Sequence, residues 1–150
     1  MSTATATFPT TEYISSESRT HSVWRVGIVA TLVGAAVTEL FALAARAIDV
    51  PMAAADPGVD HAKDIPVGGF FMAVVIWGLV GVVVAAALRR WTRNPARIFV
   101  ITTVTLTALS LLGPAFAGAT ETSTKVVLAV AHLIAAAVII PPIARQLETR

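Results

Sequence analysis

An all-α bundle of four transmembrane helices, running up-down-up-down with both termini inside, is the fold class predicted for these 150 residues. Three observations predict it. Hydrophobic residues make up 56% of the chain and charged residues 13%, where a water-soluble domain carries about 25% charged. The charge is shut out of four long apolar blocks and crowded between them, the pattern of membrane spans. The blocks are also long enough, since about twenty helical residues cover roughly 30 Å, the depth of a bilayer's hydrocarbon. Mean hydropathy is +0.78. With no cysteine in the chain, disulfides, thiolate metal sites and cysteine nucleophiles are excluded. The net charge of +2 gathers at span ends and reads as a topology signal, not a nucleic-acid surface.

Residues 1–22 hold eleven Ser/Thr and no apolar periodicity, so a disordered cytoplasmic tail is expected there. A secretory signal would join a basic stretch to an apolar one, and neither is present. The first span covers 23–48, with Trp24 and Arg25 at one interface and Arg46 and Asp49 at the other; Pro51 ends it. Residues 50–67 form an acidic loop long enough to fold over the bundle's mouth, with Asp56, Asp60, His61 and Asp64 as its lid residues. Their spacing matches no standard metal loop, so no metal is assigned.

The second span covers 68–88 and stops at a run containing Arg89, Arg90, Arg93 and Pro95, with Arg97 just beyond. These arginines suffice as topology signals and are also placed to meet anionic headgroups. The third span covers 98–117 with Pro114 near its far end. After a short loop the fourth covers 125–140, where Pro141 and Pro142 bend or end the helix; the membrane domain closes at 145 and residues 146–150 form a cytoplasmic tail. Arg19, Arg25, Arg89, Arg90, Arg93, Arg97, Arg145 and Arg150 fall on one side, against Arg46, Lys63 and Lys125 on the other. The positive-inside rule then puts both termini in the cytoplasm.

Helices in lipid associate through close packing of small residues. Gly27, Ala30, Gly34 and Thr38 form such a seam on the first span; Gly78, Gly81 and Ala85 serve the second, and Ala129 with Ala135–Ala137 the fourth. The first helix should close against the fourth. No internal repeat supports an inverted-repeat transporter.

Glu39 is the one ionisable group in residues 26–45, and an acid inside a span needs a partner. Counting about 1.5 Å per residue from the outer span ends puts Glu39, His132, Ser110 and Trp77 at nearly one depth. A Glu39–His132 hydrogen bond or ion pair is predicted, with Ser110 and Trp77 near it. This intramembrane polar site is structural or a small binding site. A proton-linked carrier or channel subunit, with Glu39 and His132 as relay, is the first alternative. A membrane enzyme acting on lipid or quinone is the second, although no nucleophile or metal set accompanies the pair.

The stretch from Ala96 to Leu147 carries a resemblance: Arg97-x-Phe99 opening the third span, Leu109-Ser110-Leu111 followed by Pro114, and His132 with its alanine run and closing proline. It resembles an uncharacterised family of small four-span actinobacterial membrane proteins, a domain of unknown function, over most of residues 24–145. The resemblance implies four membrane helices and a bacterial inner-membrane location. It also implies an Asn near Glu39 and a Met before His132, where this chain has Glu39 itself and Ala131. The reading is a non-enzymatic multi-pass protein of the cell envelope that uses no cofactor. Its partners are the lipid bilayer and a second copy or another membrane protein, with no nucleic acid.

Overall fold

Helix formation is costly to start and cheap to extend, and the first helix, α1, shows it by running Thr11–Ala47, well beyond its apolar block. A computed structural model describes residues 11–56 and 58–148. The expected disordered tail is therefore helical from Thr11 onward, carried by the span that follows; residues 1–10 lie outside the described ones. At its other end α1 stops before Pro51. Asp49 turns left-handed (φ 60°), its N–H donates to the Arg46 carbonyl, and the Val50 N–H donates to the Ala45 carbonyl. This paired closure satisfies the last carbonyls of the helix, so the stop lies in the Ala45–Val50 turn and Pro51 only follows it.

The loop contains the strand pair β1 (Ala53–Ala54) and β2 (Lys63–Asp64), antiparallel with Ala53 opposite Asp64. Helix α2 spans Gly69–Trp91, α3 Pro95–Ser110, α4 Leu112–Phe116 and α5 Thr122–Glu148. Among the described residues four stretches are long and apolar enough to cross a membrane: Val23–Ala47, Gly69–Trp91, Pro95–Phe116 and Thr122–Glu148. The fold is the all-α four-helix bundle that the composition predicts.

Prolines act differently in the last two spans. Pro114 has no N–H to offer Ser110, and its ring opposes that carbonyl. The third span breaks there into α3 and α4, with the Leu111 N–H shared between the Thr107 and Ala108 carbonyls. Pro141 and Pro142, expected to bend or end the last helix, lie inside α5, which continues to Glu148. Beyond them Ile143, Ala144 and Leu147 are buried with Val23, Val82 and Phe99 in one core cluster. The two interior prolines cost about 3 kcal/mol each, and burying an Ile and a Leu returns about 1.5–3 kcal/mol each. Burial offsets most of that cost, and the predicted tail after 145 is helix as far as Glu148.

Helix α1 packs along both α2 and α5, and α3 lies mainly on α5. Small residues make this possible. A Cβ at Gly27 would sit 2.6 Å from Val82, one at Gly34 would sit 2.7 Å from Ile139, and one at Gly78 would sit 2.5 Å from Thr31. Gly81, expected in the seam, meets none of the described residues there. Of the seam alanines expected on α5, Ala129 is only half-buried, whereas its neighbour Ala131 is buried. A second core cluster of Ala42, Ala45, Met52, Phe70, Val127 and Ala131 lies at the end of the bundle that carries the strand pair.

Candidate functional site

The start of α2 sets the problem that Glu39 solves. The first N–H groups of a helix have no partner within it, and a Ser, Thr, Asp or Asn ordinarily caps them. Here the cap position is Gly68, left-handed at φ 85° and without a side chain to help. The carboxylate comes from α1 instead. Gly68 N–H donates to Glu39 Oε1 (2.7 Å) and Phe71 N–H donates to Oε2 (2.9 Å). A negative group at a helix N-terminus is favoured by the helix dipole, and bonds to an ionised acceptor are the stronger kind.

Arg46 lies two helical turns further along the same face of α1. Its Nη2 donates to the carbonyls of Ile65 (2.8 Å) and Pro66 (3.3 Å), while its buried Nε finds no partner among the described residues. Glu39 and Arg46 thus hold one short stretch of backbone, 65–71, the acid by its N–H groups and the base by its carbonyls.

The loop is tied down on its other flank as well. Ile65 N–H donates to the Met52 carbonyl (2.7 Å), and Ala55 N–H to Thr120 Oγ1 (2.9 Å). The buried Thr124 hydroxyl donates to the Pro51 carbonyl. Ala119 N–H reaches the Val59 carbonyl (3.4 Å), and Gly118 packs so tightly that a Cβ would fall 2.5 Å from Val59 O. The loop is a fastened cap over the α4–α5 connection. Asp56, Asp60, His61 and Asp64, expected as its lid residues, are all exposed on it.

The predicted Glu39–His132 pair does not form. Both Glu39 oxygens are taken by α2, and His132 Nδ1 bonds the Leu128 carbonyl of its own helix (2.7 Å). A carbonyl only accepts, so Nδ1 carries the proton. Ser110 Oγ likewise donates to the Thr107 carbonyl one turn back (2.7 Å). Trp77 is 73% exposed on the outside of the bundle, where an indole faces lipid. Equal depth along four helices did not imply a shared face: Glu39, His132 and Ser110 each found a backbone partner, and Trp77 turns outward. The residues missed were Gly68 and Phe71, which contribute only main-chain N–H groups, and Thr120 and Thr124 around the cap; Arg46 was placed at the interface without its carbonyl partners. One signal was available, since Val67-Gly68-Gly69-Phe70 opens a long helix with no capping side chain.

A sequence model described as "Family of unknown function (DUF6069)" matches residues 18–149. The chain belongs to this family. That membership agrees with the uncharacterised family the third and fourth spans resemble, and the match covers every span. Neither the curated proteins nor the solved structures hold a match to the chain.

Proposed function

We propose that this DUF6069 chain is a multi-pass protein of the actinobacterial cytoplasmic membrane, with both termini inside, that performs no chemistry of its own. It serves as a membrane-embedded structural or binding subunit whose outward face is the fastened cap of residues 50–67. One observation carries this reading: both oxygens of the single acid in residues 26–45 are engaged by backbone N–H groups. A proton relay needs an acid free to release and regain its proton beside a continuous chain of partners. Glu39 is instead a fastener of the kind that sets where a helix begins.

The test separates the two roles. The purified protein is placed in liposomes with a proton-sensitive dye, beside the Glu39→Gln and Glu39→Ala variants, and the melting of each is followed in detergent. The expected result is no flux above that of empty liposomes for any of the three, with melting lowered in both variants. Flux by the unmodified chain that Glu39→Gln abolishes at unchanged melting would establish the carrier instead.

A further inference from the structure

At the opposite end of the bundle from the cap, the α2–α3 turn and the last turn of α5 enclose a groove of about 550 Å³. It is lined by the charged Arg93, Arg97 and Glu148 and by the apolar Val100, Ile101 and Leu147. We propose that this groove binds the headgroup of an anionic phospholipid, its phosphate between Arg93 and Arg97 and an acyl chain running down α3 past Val100 and Ile101.

Four observations meet here. Both guanidinium groups lack any hydrogen bond or ion pair with the described residues, unlike Arg89, which donates to the Gln146 carbonyl (3.1 Å). Two planar cations with free donors suit the oxygens of a phosphate. Asn94 at the start of α3 makes no side-chain cap bond, and Pro95 follows it at the first position of the helix. The amide groups of Ala96 and Arg97 therefore have no acceptor within the helix and add to the positive field at the groove.

The wall changes from charged to apolar along the direction a lipid takes. Leu147 is buried at the base, and Ile101 is exposed on the flank that continues as the apolar face of α3. A free anion has no use for that apolar lining, whereas an acyl chain does. Lastly, the groove lies where the second and third spans meet, beside the exposed Trp91, at the level where aromatic residues mark a membrane surface. Glu148 opposes one of the two positive charges, so the groove is net positive and prefers an anionic lipid to a zwitterionic one.

The full-length protein is exchanged into detergent with phosphatidylglycerol, phosphatidylethanolamine or phosphatidylcholine, and retained lipid is counted by native mass spectrometry. Melting of the unmodified protein is followed in the same three mixtures. Phosphatidylglycerol should be retained in preference and should alone raise the melting temperature. Arg93→Gln with Arg97→Gln should weaken its retention roughly thirtyfold, the sum expected for two arginines at an anionic surface. Arg90→Gln, on the same turn but outside the groove, should leave it unchanged. Equal loss with Arg90→Gln, equal retention of the zwitterionic lipids, or displacement of the lipid by millimolar inorganic phosphate would each overturn the site.

Discussion

Glu39 shows how one side chain can be conspicuous in a sequence while its partner is not. Its carboxylate takes the place of a missing cap on α2, so its removal should be felt at that helix's first turn. Glu39→Ala is expected to cost about 2 kcal/mol, the upper range for losing an N-cap. Amide exchange at Gly68 and Phe71 should speed up, with the middle of α2 less affected; equal protection in variant and parent would remove Glu39 as the cap. Glu39→Gln keeps one acceptor oxygen but turns an NH₂ toward the other amide, so it should fall between the two. Arg46→Ala should loosen the same stretch from its carbonyl side. Because both residues hold backbone 65–71, the double variant should lose less than the sum of the singles, a coupling that a double-mutant cycle reads directly. That Glu39 needs a partner was legible, because an acid amid apolar residues has to be answered. What answered it was not. Main-chain N–H groups are the same at every residue, and only the absence of a local cap at Gly68 marks these two as needing an acceptor.

At the scale of helices, the small residues were legible as a class but not one by one, because periodicity gives a face and not the shape of its neighbour. Gly78 and Gly81 look alike in the sequence, yet Gly78 lies against Thr31 and Gly81 against nothing among the described residues. Gly78→Ala should therefore destabilise the bundle by about 1–3 kcal/mol through overpacking. Gly81→Ala should be neutral or stabilising by up to about 1 kcal/mol from helix propensity alone. Adding Thr31→Ala to Gly78→Ala clears the opposing atoms and also removes a buried hydroxyl without a hydrogen-bond partner among the described residues, so it should restore most of the loss. Detergent melting of the three variants measures all of this, and equal melting of the two glycine variants would mean the α1–α2 contact is not as close as described. The prolines show the same limit. Pro114 broke its helix as the local rule says, but Pro141 and Pro142 did not, because residues beyond them are buried against α1, α2 and α3. Long-range packing of that kind leaves no mark on the local sequence.

For the whole molecule, hydropathy and charge made the four spans readable, since bilayer thickness sets a length that few other structures share. The same charges make a definite prediction about orientation. Arg25, Arg89, Arg90, Arg93, Arg97 and Arg145 cluster at one end, whereas Arg46 at the other end is spent on the cap's own carbonyls. The positive-inside rule weighs loop arginines near span ends, so the arginine end should face the cytoplasm and the cap should face out. The chain has no cysteine, which makes single-cysteine variants unambiguous reporters. Asp60 and Arg93 are both exposed, one on the cap and the other on the arginine turn, and neither holds the fold together by a hydrogen bond among the described residues. In intact cells, a membrane-impermeant maleimide should label Asp60→Cys and leave Arg93→Cys untouched until the membrane is opened. The reverse pattern would invert the molecule, placing the acidic cap in the cytoplasm and the lipid groove in the outer leaflet. Labelling at both positions would mean that the protein inserts both ways, as a chain with weak charge bias does, and that two oppositely oriented copies have to be considered as its working form.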